Sequence, residues 1–147
     1  MDFNGFGGIS ILIVIDACAL EDFLKKGDNL RRIKNGEIII ALSRPKLLRE
    51  YGNRIREMRS RGEELGRIVP VLGDLIRSAP LWVDDEVEHN FDCVKAIPRK
   101  DLHLFVAAKE AALHENVEEA WVVTSARDVR EVEECENGRV KIRVAPI

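Results

Sequence analysis

Apolar and polar positions along the chain alternate between two periods. Ile11–Ile15 is an unbroken Ile/Leu/Val run, the pattern of a strand buried on both faces of a helix-covered parallel sheet. Ala19–Lys26 predicts a short helix closed by Gly27. Glu37–Leu42 predicts a second apolar strand after Asn35-Gly36. Ser43 stands where an N-cap belongs and Pro45 fits the first turn of a helix running to about Arg61. Its apolar positions Leu47, Leu48, Tyr51, Ile55 and Met58 cover an arc of roughly 100°. Residues 63–78 continue in helical pattern, with Pro70 kinking or splitting the element. Within 80–97, Leu81-Trp82-Val83 reads as a short strand and the segment after it is acidic. Arg99–His114 is a strong helix and Ala120–Ser125 a third buried strand. After the Asn137-Gly138 turn, Val140–Val144 alternates apolar residues with Lys141 and Arg143, as a final strand should. Strands alternating with helices predict an α/β three-layer sandwich, a central mostly parallel sheet flanked by helices.

Composition bounds this picture. The chain has 147 residues, the size of one domain over 1–147 with its core at about 10–145, residues 1–8 being a loose leader. It is 46% hydrophobic and 33% charged, with 26 acids against 23 bases and a net charge of −3. Mixed charge with ample apolar content argues against disorder. The sum also lacks the basic surplus of many nucleic-acid binders. The distribution is less even. Residues 43–67 hold eight Lys/Arg and four acids, while residues 115–136 hold two bases and eight acids. Cys18, Cys93 and Cys135 are widely spaced, which reads as a reducing, cytoplasmic setting. The apolar run ending at Ile15 is too short to span a membrane, and no basic segment precedes it. The chain has no glutamine and is rich in Glu, Lys and Arg, which points to a heat-adapted source.

Several acids fall where acids are costly. Asp16 directly follows the first apolar strand, and open α/β sheets bind ligands outside the carboxyl ends of their strands. The plainer reading is a cap for the next helix. Asp101 points along the apolar face of its helix: Ala108 and Ala112 lie within about 20° of it at 100° per residue, whereas His103 and Glu110 point away. A carboxylate aimed at a core needs a cation, a metal or donated hydrogen bonds; the alternative is an acid favoured by the helix N-terminus. Glu50 borders the apolar arc of its own helix, where it can serve a site at the core's rim or pair with Arg54 at i,i+4. Asp128 follows the third strand and also sits three residues after Ser125, as in a capping box. Thr124 and Ser125 end that strand with hydroxyls able to donate to a carboxylate or a phosphate. His89, His103 and His114 lack ligand spacing and read as surface residues. No glycine-rich phosphate loop follows a strand.

Four segments, in order, resemble the PIN domain, a family of metal-dependent ribonucleases that includes toxins of toxin–antitoxin pairs. Val14–Leu20 (VIDACAL) looks like the family's first strand and acid. Leu42–Ile55 looks like the helix carrying its glutamate, and Ile97–Ala111 like the helix opened by its third acid. Ala120–Val129 is similar to its last motif, a strand ending in Thr and then an acidic turn. The resemblance spans about residues 10–145. It implies that Asp16, Glu50 and Asp101 are metal ligands and catalytic acids. The family's fourth acidic position falls on Ala126 here, and Asp128 matches the next acid of that motif.

The resemblance implies Mg²⁺ or Mn²⁺, oxygen-loving cations that relieve the repulsion among clustered carboxylates, and hydrolysis of RNA phosphodiester bonds. Thr124, Ser125 and Arg54 are then candidate substrate contacts. The implied partners are RNA, an antitoxin protein and a second copy of the chain, with no membrane. The activity is toxin-like or RNA-processing endoribonuclease. The alternative is a catalytically inactive PIN-like module that binds RNA or protein, a reading that Ala126 favours. A small-molecule hydrolase using Asp16 as nucleophile is disfavoured, because Ala17-Cys18 supplies no second acid close by.

Overall fold

A computed structural model describes residues 10–62, 69–70, 72–74, 81–89, 91 and 95–146. It is an α/β sandwich around a mostly parallel five-stranded sheet. The strands are β1 (Ile11–Ile15), β2 (Ile38–Ile40), β5 (Glu119–Val123), β6 (Glu134–Asn137) and β7 (Val140–Ala145), in the order β2-β1-β5-β7-β6. Only the β6–β7 pair is antiparallel. Two short strands, β3 (Leu42–Arg44) and β4 (Trp82–Asp84), form a separate parallel pair. The helices are α1 (Ala17–Lys25), α2 (Gly27–Lys34), α3 (Lys46–Ser60), α4 (Leu102–Glu115) and a single turn, α5 (Arg127–Arg130). A 3₁₀ turn at Arg99–Asp101 leads into α4.

The unbroken apolar run at β1 has a direct cause. It lies between β2 and β5, and all five of its residues are buried. The alternation in β7 is equally literal: Val140 and Ile142 are buried, whereas Lys141 and Arg143 are half-buried and pair with Glu119, Glu134 and Glu136. Helix α4 packs on β1, β5 and β7 and also meets β4 and α3. Hemmed in on these sides, it buries nine residues, among them Ala107, Ala108, Ala111 and Ala112, whose small side chains permit close approach.

Several elements differ from the sequence expectation. Gly27 begins α2 rather than closing α1. The apolar segment at 37–42 splits: Ile38–Ile40 joins the main sheet, and Leu42 starts β3 in the small one. Ser43 is therefore a buried strand residue, not an N-cap; its hydroxyl donates to Asp85 Oδ2 at 2.8 Å. Asp85 supplies the missing cap from across the small sheet, accepting from the Lys46 and Leu47 amides at 3.1 and 2.8 Å. Glu134–Asn137 adds a strand that the acidic composition of its segment concealed. The expectation for 63–78 falls mostly outside the described residues; 69–70 and 72–74 are helical. Cys18 is an exposed free thiol, whereas Cys135 is disulfide-bonded. Cysteine usage therefore does not support a reducing compartment, although intracellular proteins of hyperthermophiles are a known exception to that rule. Among the described residues, no helix is long and apolar enough to cross a membrane.

Candidate functional site

The chain leaves β1 for β2 on one side and returns to β5 on the other. The carboxyl ends of β1 and β5 thus border a topological switch point, the crevice where open α/β sheets bind ligands. Ile15 is paired with Val123, so the next residue on each strand, Asp16 and Thr124, meet at this crevice. Both are buried, Asp16 at 7% exposure.

Asp16 occupies the N-cap position of α1, yet its side chain makes no capping hydrogen bond. It accepts instead from the Thr124 hydroxyl at 2.7 Å. The capping explanation for this acid is thereby removed. Thr124 Oγ1 also accepts from the Ala126 amide at 3.0 Å. Its one hydroxyl proton is committed to Asp16, so Thr124 orients that acid rather than offering a donor to substrate.

Asp101 ends the 3₁₀ turn and is 8% exposed. Its Oδ2 is buried and has no hydrogen-bond partner. Burial, then the negative charge of Asp16 and of Asp128, raises its pKa above the usual carboxylate value, against the opposing pull of Lys100 and His103. Asp16 and Asp128 are therefore each within electrostatic reach of Asp101. An orphaned, buried carboxylate oxygen facing other acids suits a cation, and an all-oxygen donor set suits Mg²⁺ or Mn²⁺.

Glu50 and Asp16 line a common cleft of about 310 Å³, together with Asn53, Arg54 and Glu57 of α3. Helix α3 is tied to the strand end by Tyr51, whose buried hydroxyl donates to the Ile15 carbonyl at 2.5 Å. Burial, reinforced by the charges of Asp16 and Glu50, pushes the Tyr51 pKa far up, so the phenol stays a donor. Glu50 does not pair with Arg54. Its Oε1 accepts from His103 Nε2. Arg54 instead lies 3.5 Å from Glu21 and 3.8 Å from Glu57.

His103 corrects the sequence reading. It is 3% exposed, not a surface residue. Asp101 lies in the 3₁₀ turn and not in α4, yet is buried as the helical wheel placed it; α4 is covered on several sides, so the wheel misplaced His103 alone relative to solvent. His89 is also half-buried and bonds Glu110 at 2.8 Å.

The last motif diverges from a capping box. Ala126 holds the N-cap position of α5 without a side-chain bond. Asp128 is exposed, and its Oδ1 accepts from the adjacent Val129 amide at 3.0 Å. Ser125 is exposed, and its hydroxyl donates to the Cys18 carbonyl at 3.4 Å. As placed, no three His, Cys, Asp or Glu side chains among the described residues form a group able to hold a metal ion. Glu50 is drawn toward His103 and Asp128 toward its own turn; Asp16 and Asp101 remain as the buried pair.

Sequence reasoning missed three residues that build this site: His103, Tyr51 and Asp85. For Asp85 a signal existed. It is the second of two acids, Asp84-Asp85, that follow the short apolar stretch Leu81–Val83. Comparison with known protein families, with curated proteins and with solved structures finds no match for this chain.

Proposed function

We propose that the chain is a PIN-like, Mg²⁺- or Mn²⁺-dependent endoribonuclease, with Asp16, Glu50 and Asp101 holding the cation and Asp128 as a fourth acid at the rim. The observation that carries the reading is the pair of buried acids at the switch point: Asp16, excused from capping and oriented by Thr124, and Asp101, with an orphaned oxygen. The Asp101 arrangement does not serve the fold, since a buried carboxylate oxygen without a partner is destabilising. An oriented Asp16 and an orphaned Asp101 oxygen together suit a hard cation. When bound, that cation would lower the pKa of a coordinated water and polarise a phosphodiester.

The chain's own residues then do the rest. Thr124 fixes the rotamer of Asp16, and Tyr51 ties α3, which carries Glu50, to the end of β1. Arg54 lines the cleft and is held by Glu21 and Glu57, a placement from which its guanidinium can meet a phosphate. Exposed Arg49, Arg56 and Arg59 along α3 add a basic track for the RNA backbone. Toxin and RNA-processing roles both fit. A small neighbouring reading frame for an antitoxin favours the first.

A second reading, a PIN-like binding module without catalysis, is favoured by Ala126 and by the dispersed acids. Cleavage of RNA in Mn²⁺ discriminates. Wild type is expected to cleave, and Asp16→Asn to be slower by about 100-fold, which is ~2.7 kcal/mol of barrier. Absence of cleavage by wild type at high enzyme concentration would favour the binding module, and equal rates for both proteins would mean a contaminating nuclease.

A further inference from the structure

His103 is the second residue of α4, is buried, and donates from Nε2 to Glu50 Oε1 on α3. Its other ring nitrogen, Nδ1, is also buried and has no hydrogen-bond partner. An orphaned buried ring nitrogen costs stability, and a leucine or phenylalanine at this place would fill the same space without that cost. Packing therefore does not explain the imidazole. What it does supply is one rigid N–H directed at one carboxylate oxygen. The recipient is half-exposed and lines the cleft beside Asp16.

We infer that His103 is a positioning residue for Glu50, an inference that rests on the reading of Glu50 as a metal ligand. By engaging Oε1, the imidazole limits the rotation of a side chain that would otherwise sample the open cleft, and leaves Oε2 as the oxygen for a cation. Its Nε2 is committed to Glu50, and that bond is the route by which His103 acts. Outer partners of metal-binding carboxylates characteristically alter metal affinity by 10–100-fold when removed. The imidazole also joins α3 to α4, so one contact sets the orientation of Glu50 relative to the turn that carries Asp101.

The test is Mn²⁺ affinity by calorimetry, with no substrate present. His103→Phe keeps a buried ring and lacks the donor; His103→Gln keeps a donor. His103→Phe is expected to weaken Mn²⁺ binding by about 10–100-fold, and His103→Gln to stay within about threefold of wild type. In a Glu50→Ala background, His103→Phe is expected to change the affinity by less than about threefold, because its effect passes through Glu50. A merely structural role would not show that loss of effect. His103→Leu gives the same comparison if the Phe variant does not fold. A folded Phe or Leu variant that binds Mn²⁺ as wild type does would overturn the inference, as would an undiminished loss in the Glu50→Ala background. Wild type that fails to bind Mn²⁺ would overturn the metal-site reading and this inference with it, an outcome distinct from either of those.

Discussion

A buried carboxylate with an unpartnered oxygen makes the fold less stable when it is charged, and Asp101, through Oδ2, is in that position. Its pKa is raised, by burial first and by Asp16 and Asp128 next. The sign of the linkage follows. An acid whose folded pKa lies above its unfolded value holds its proton more tightly in the native state, so stability falls as pH rises through the carboxylate range. Asp101→Asn removes that penalty. In a chelator at pH 7 the variant is expected to melt above wild type, and the difference should close below about pH 4, where the unfolded carboxyl is also protonated. Thermal melts at both pH values check this. A variant that gains stability while losing Mn²⁺ binding is what a site residue should produce, since function there is kept at the expense of stability. Asp101 was legible in the sequence because its apolar neighbours recur around it at helical spacing. His103 was not. A helical wheel assumes one buried face, and α4 has several.

At the scale of elements, the site depends on where α3 begins. Its N-terminus has no capping side chain of its own, and Pro45 occupies the N-cap position. Asp85, just past β4, accepts from Ser43, Lys46 and Leu47 together. Asp85→Ala would leave three donors unsatisfied, two of them buried. The expected loss is about 2–4 kcal/mol in urea unfolding, and Ser43→Ala should lose about 1 kcal/mol. A loss below about 0.5 kcal/mol for Asp85→Ala would contradict this role. The strands and helices with one clear period were readable from the chain: β1, β5, β7, α3 and α4. Boundaries set by tertiary contact were not. The break between β2 and β3 occurs inside an even apolar run, at Ala41, because the two halves join different sheets. Likewise β6 is an acidic edge strand recognisable only by its pairing with β7.

At the scale of the whole molecule, the net charge of −3 conceals an arrangement. Five of the eight bases of the 43–67 stretch lie on α3, whose polar side borders the cleft. Part of the acidic segment at 115–136 is spent on pairs with Lys141 and Arg143 across β5, β6 and β7. Under the proposed function, RNA would be held by a few arginines and not by bulk charge, and should bind with shallow salt dependence. With three to five phosphate contacts, log affinity against log salt should fall with a slope of about −2 to −4. Arg56→Ala with Arg59→Ala should make it shallower by one to two units; an unchanged slope would move the RNA track elsewhere. All of this presumes a cation among the acids at the switch point, and one measurement addresses that directly. A crystal soaked in Mn²⁺ is expected to show anomalous density between Asp16 and Asp101, within reach of Glu50. Density confined to other surface acids, or none at saturating Mn²⁺, would contradict the account.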